Sequence, residues 1–288
     1  MHIPSLQYIE LPTGRLAYRV GGDGPPLLLI HGWGGSSRHW LGAFITLAER
    51  HTVYAIDMPG YGESAAGAGG GGLRGLTLAA LGFIDALGLG MIGLCGHSLG
   101  GAVALLVAAS RPNQVSRLAL ASFGIARTPE EEAHYREVGT QMGAAAALWA
   151  PWLALSRPWL ALSRPWRQLA WTIPPLPALL AGPMLHRMPD APMLALGIAD
   201  LMAMDALAAI EGAASTGNPL LAQAIIRAAM PAMVLTGQHD PVFPPSSAAA
   251  LVAALPDAHL AIIDACGHVP MAEQPVTCYS ALGAFFAG

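Results

Sequence analysis

The chain has 288 residues, enough for one large domain or one domain carrying an insertion. Only 11% of residues are charged, all fixed positive charge is Arg, and the net charge of -4 offers no electrostatic basis for binding nucleic acid. Three cysteines, Cys95, Cys266 and Cys278, have no metal-type spacing; they exclude a disulfide scaffold and suit a reducing compartment, so a cytoplasmic location is expected.

The first residues, MHIPSLQYIELPTG, lack a basic region followed by an apolar run, so no signal peptide is expected. Residues 7–11 and 16–20 read as two short strands around a Pro-Thr-Gly turn. The glycine cluster at 21–24 is a second turn. Residues 27–30 form a continuous apolar run, as a strand buried on both faces should. Strands then follow at 52–56, 91–95 and 117–121, with helical spacing at 76–87 and 101–109. This alternation argues for a parallel sheet with helices on both faces. From 126 to 230 no convincing strand appears. A capping box at Thr128-Pro129-Glu130-Glu131 opens a helix there. The longest charge-free run near that point, 138–156, is interrupted by Pro151 and weakened by Gly and Ala. It falls short of the roughly 20 strongly apolar residues that a spanning helix needs. Strands resume at 233–236 and 260–263, with helices at 246–255 and 279–286. The expected organisation is a core of 1–125 and 231–288, interrupted by a helical insertion at 126–230.

Chemistry concentrates in IGLCGHSLGG, residues 92–101. A buried strand runs into Gly96-His97-Ser98-Leu99-Gly100, and a helix follows, which is the context that G-x-S-x-G requires. The turn is so sharp that side chains two before and two after the serine would collide with their neighbours. A nucleophilic serine needs a base, and the base needs an orienting acid. Asp240, in LTGQHDPVFP, and His268, in IIDACGHVP, both follow strands, where open α/β sheets put their sites. Asp264 is a rival acid, disfavoured because it lies only four residues before His268. Oxyanion donors are expected from the backbone N–H groups of Trp33, in the Gly-rich LLLIHGWGG, and Leu99. Neither a metal nor an organic cofactor is implied.

Together, His31-Gly32-Trp33-Gly34, the stretch Asp57–Ser64, Gly96–Gly101, Asp240 and Gly267-His268 resemble the α/β-hydrolase superfamily. That resemblance implies an α/β-hydrolase fold: a mostly parallel central sheet, helices on both faces and an inserted helical cap. It treats Asp57 as structural. Ser98 disfavours relatives with an Asp nucleophile. The implied activity is that of a capped serine carboxylesterase or lipase on a small-molecule ester; the resemblance does not choose the substrate, and a hydrophobic acyl or aromatic group is expected from the tryptophan-rich cap. A carbon–carbon bond hydrolase of the ring-cleavage-product type, or a non-catalytic small-molecule receptor, are the alternatives. The expected substrate pocket comprises Gly32, His97, Trp149, Trp152, Trp159 and Val269.

Within the cap, residues 151–166 read PWLALSRPWLALSRPW, a seven-residue unit given twice and begun a third time. Two copies are too few for a solenoid. Three readings stand: a lid whose apolar face lines the pocket, a membrane-interface contact through Trp and the interleaved Arg157, Arg164 and Arg167, or plain cap core.

Overall fold

The computed structural model describes residues 4–133, 135–141, 143–144, 182–215, 218 and 220–288. Trp149, Trp152, Trp159 and the whole 151–166 repeat lie outside the described residues. So do Arg157, Arg164 and Arg167.

Eight strands form one sheet: β1 (Leu6–Leu11), β2 (Gly14–Gly21), β3 (Pro26–Ile30), β4 (Thr52–Ile56), β5 (Ile92–His97), β6 (Val115–Ala121), β7 (Ala232–Gly237) and β8 (Ala258–Ile263). Their spatial order is β1-β2-β4-β3-β5-β6-β7-β8. β2 pairs antiparallel with β1 and β4, and every later pairing is parallel. Core helices are α1 (Leu73–Ala86), α2 (Leu99–Ser110), α6 (Pro245–Ala254) and α7 (Pro275–Ala287). Between β6 and β7 lie helical residues at 129–133 and 135–141, then α3 (Ala191–Ala203), α4 (Ala206–Ala213) and α5 (Leu220–Arg227). Among the described residues of 126–230 there is no strand, and no single helix is long and apolar enough to cross a membrane.

The apolar run at 27–30 shows why the sheet is two-sided. Leu27, Leu28, Leu29 and Ile30 are all 0% exposed. Successive side chains point to opposite faces of a strand. Leu28 and Ile30 therefore join the core packed by α1 and α2, while Leu27 and Leu29 join the core packed by Trp40 and α7. β6 and β7 divide in the same way, with Leu118, Leu120 and Val234 on the first side and Ala119, Ala121, Met233 and Leu235 on the second. Each fully buried Leu or Ile contributes roughly 1.5–3 kcal/mol of hydrophobic stabilisation before ordering costs.

Element boundaries moved in one informative place. Helical spacing predicts a helix from residue 101, but α2 begins at Leu99. Glycine at 100 and 101 lowers helix propensity and so hides the start. Close packing is what demands it: a Cβ at Gly100 would sit 2.3 Å from the His31 carbonyl oxygen. α2 therefore starts against the end of β3, immediately after Ser98.

Candidate active site

Because β3 and β5–β8 run parallel, their carboxyl ends share one edge of the sheet. Ser98 caps the N-terminus of α2 with φ 51° and ψ -116°, a left-handed conformation that costs a non-glycine residue of order 1–3 kcal/mol. The surroundings enforce it. Ser98 N–H donates to the Ala121 carbonyl at 2.9 Å, and the Ser98 carbonyl accepts from Gly101 N–H at 2.8 Å. A Cβ at Gly96 would lie 2.0 Å from the Gly100 oxygen, so only glycine permits this turn.

The loops after β7 and β8 touch backbone to backbone. His239 N–H donates to the Cys266 carbonyl at 2.8 Å, and a Cβ at Gly237 would come within 2.1 Å of the Gly267 oxygen. This contact brings Asp240 beside His268. The Nδ1 of His268 lies 2.9 Å from both Asp240 carboxylate oxygens, and its Nε2 lies 3.0 Å from Ser98 Oγ. A carboxylate only accepts, so Nδ1 carries the hydrogen and Nε2 offers its lone pair to the serine hydroxyl. Asp240 Oδ1 also accepts from the N–H groups of Val242 at 2.8 Å and Phe243 at 2.9 Å. Burial alone would raise the Asp240 pKa; the His268 imidazole and these donors outweigh it and hold the carboxyl below its usual value. Asp264 is exposed at the end of β8, away from this arrangement.

Trp33 and Leu99 both line the cavity beside Ser98, and among the described residues neither backbone N–H has an acceptor. The Trp33 loop is held from beneath. His31 Nε2 accepts from Met58 N–H at 2.9 Å, which leaves its Nδ1 to donate to the Gly32 carbonyl at 2.8 Å. Asp57 accepts from Ser37 N–H at 2.6 Å and Glu63 N–H at 2.9 Å, bracing the same region from the stretch that the resemblance treats as structural.

A cavity of ≈ 730 Å3 opens beside Ser98. Its walls are mostly apolar: Phe123, Tyr135 and Phe243 on the Asp240 side, and Met193, Leu194, Ile198 and Leu201 from α3. His97 and Val269 line it. Gly32 does not. It packs against His97, where an added Cβ would be 2.6 Å from His97 Nδ1. The three expected tryptophan walls lie outside the described residues.

Several contributors carry no local motif. Asp200 of α3 is buried; it accepts from Ser36 Oγ at 2.7 Å and pairs with Arg38, fastening the insertion to the Trp33 loop. Glu273 is also buried beneath the His268 loop. The only advance sign was the presence of isolated carboxylates in apolar stretches. Cys266 is a buried free thiol whose pKa burial pushes up to about 12, so it stays protonated.

Two more imidazoles set the acid stability. Burial, above all, lowers the pKa of His97 to about 3 and of His39 to about 4. In the unfolded chain both take up a proton near the ordinary histidine value of about 6.5. The unfolded state therefore binds more protons below that pH, and stability falls as pH drops. Between pH 7 and pH 5 the loss should reach about 4 kcal/mol for the pair together. Asp240 adds a further loss at lower pH, as its depressed carboxyl is finally protonated. Urea unfolding at the two pH values measures the effect; equal midpoints would contradict His39 and His97 being neutral in the folded protein.

Comparison with known proteins follows the same line. The family model described as "Alpha/beta hydrolase family" matches residues 27–281. The chain is 31% identical over 285 residues to an uncharacterized protein of Mycobacterium tuberculosis, spanning 94% of this chain and 78% of that one. It is also 31% identical over 264 residues to the pimeloyl-(acyl-carrier protein) methyl ester esterase of Aromatoleum aromaticum, spanning 88% and 95%. Among solved structures, a membrane phospholipase A described as a bacterial virulence factor superposes with a TM-score of 0.74 at 26% identity, covering 99% of this chain and 86% of that one. A hydrolase from Pseudomonas aeruginosa superposes at 0.76 and 24% identity, covering 99% of each chain; at that identity the likeness speaks for the fold.

Proposed function

The chain belongs to the alpha/beta hydrolase family, and on that premise we propose that it is a serine hydrolase of carboxylic esters bearing a hydrophobic acyl group. One observation carries the reading: Ser98, His268 and Asp240 form a continuous hydrogen-bonded line that ends in the wall of a largely apolar cavity. The cavity falls within the roughly 300–1,000 Å3 range of small-molecule sites.

In this reading Ser98 Oγ attacks the ester carbonyl as His268 Nε2 takes its proton. The carbonyl oxygen, now negative, receives the N–H groups of Trp33 and Leu99. One such donor is typically worth about 3–4 kcal/mol at the transition state. His268 returns the proton to the departing alcohol, leaving an acyl-Ser98. Water then gives its proton to His268 and attacks the acyl carbon, which releases the carboxylic acid and restores the serine hydroxyl. Asp240 keeps the hydrogen on Nδ1 throughout and stabilises the imidazolium. The steps draw only on protein groups and water. The methyl ester esterase among the relatives supports ester chemistry, and three buried free cysteines suit a cytoplasmic setting.

The test is hydrolysis of p-nitrophenyl esters from acetyl to palmitoyl. We expect kcat/KM to rise from acetyl toward longer chains, since each methylene buried is worth about 0.8 kcal/mol. A preference for acetyl would overturn the hydrophobic-acyl part. A folded protein inert toward every ester would overturn the esterase reading and favour carbon–carbon bond hydrolysis or a receptor.

A further inference from the structure

Four backbone N–H groups converge on one buried carboxylate that the chemistry above does not use. Glu273 ends the short turn Pro270–Glu273, which starts two residues after His268. That turn folds back, Glu273 N–H donating to the Val269 carbonyl at 2.9 Å, and its side chain comes to lie beneath the His268 loop. Oε2 accepts from Gly267, His186 and Arg187 N–H, each at 2.9 Å. Oε1 accepts from Val269 N–H at 3.0 Å. The residues immediately before and after His268 are thus held by the two oxygens of a single side chain.

The other two donors belong to the segment of the insertion that precedes α3. That segment is seated directly on the His268 loop: His268 N–H donates to the Met184 carbonyl at 2.9 Å. Gly267 permits the approach, since a Cβ there would be 2.6 Å from His186 N. Among the described residues the Glu273 carboxylate has no ion-pair partner, so backbone dipoles alone compensate its charge. A buried carboxylate is costly unless its oxygens are satisfied, and hydrogen bonds to an ionised acceptor are about twice as strong as neutral ones. Four such bonds give a stiff mount rather than a merely tolerated charge.

We propose that Glu273 is a positioning residue for His268, fixing the imidazole's height above Ser98 and making it depend on the seating of residues 184–187. The inference rests on His268 being the base of a serine hydrolase. Its physical content is directional. With Gln at 273, one acceptor oxygen remains. The better orientation keeps that oxygen on Gly267, His186 and Arg187 and turns an N–H2 against Val269 N–H, donor to donor. The far side of the His268 loop is then released while the near side stays fixed. With Ala, both sides are released.

The experiment compares wild type, Glu273→Gln and Glu273→Ala on one p-nitrophenyl ester, well below each protein's melting temperature. A displacement of about 1 Å in a reacting group can cost on the order of 100-fold in rate. We expect kcat to fall about 10- to 100-fold in the Gln variant and further in the Ala variant, with a smaller change in KM, since of the cavity wall only Val269 and, in the Ala variant, Met184 and Leu185 sit on the released segments. Labelling of Ser98 by a fluorophosphonate, which also needs His268, should slow in parallel. A Gln variant with wild-type kcat and labelling rate, changed only in melting temperature, overturns this inference alone and leaves Glu273 a stability residue. A wild type that neither hydrolyses esters nor takes up fluorophosphonate overturns the serine-hydrolase reading, and this inference with it.

Discussion

Ser98→Ala should fold as the wild type does and lose ester turnover by roughly 10,000-fold or more, the order seen when a serine nucleophile is removed. The structure says why folding survives. Alanine pays the same left-handed backbone cost as serine, and the hydroxyl's hydrogen-bond partner is His268 Nε2. The turn is enforced by main-chain bonds to Ala121 and from Gly101, and by the missing side chains at Gly96 and Gly100. None of these is altered. Release of p-nitrophenolate measures the rate, and mass spectrometry of the fluorophosphonate adduct locates it. Turnover retained in the Ala variant, or an adduct elsewhere, would assign the nucleophile to another residue.

Asp240→Asn should be nearly as damaging, by about 10,000-fold in kcat, for a reason of hydrogen count rather than of shape. Val242 and Phe243 N–H both donate to Oδ1. An Asn oxygen would stay on those two donors, and its N–H2 would face His268 Nδ1. Two donors cannot share that position, so the hydrogen moves to Nε2. His268 then presents N–H to Ser98 Oγ where a lone pair is required. A variant with intact far-UV circular dichroism and a collapsed kcat is the expected result. Retention of more than about a tenth of wild-type kcat would show that another group sets the tautomer.

The two oxygen-rich loops show where local reading stops. Asp240 and Asp264 both follow apolar strands, and each is an acceptable partner for His268 by pattern. Spacing along the chain favoured Asp240, but only the contact between the loops after β7 and β8 shows which carboxylate reaches Nδ1. Gly32 is the converse case. Expected in the pocket wall, it packs against His97. Asp200 and Glu273 reach partners 164 and 87 residues away, beyond any periodicity or cap.

What the sequence determines alone is therefore whatever depends on near neighbours in the chain. Strand alternation, the burial of residues 27–30 on both faces, and the glycines that make the Ser98 turn possible all follow from local sterics and the two periods of backbone structure. The order of nucleophile, acid and base comes instead from the motifs' resemblance to the α/β-hydrolase superfamily. Tertiary structure alone decided which carboxylate meets His268, where the cavity walls stand, and that one buried glutamate holds the His268 loop to the segment of the insertion that precedes α3. Those outcomes rest on hydrogen bonds between distant segments, which exist only once the sheet has brought its strand ends to a common edge.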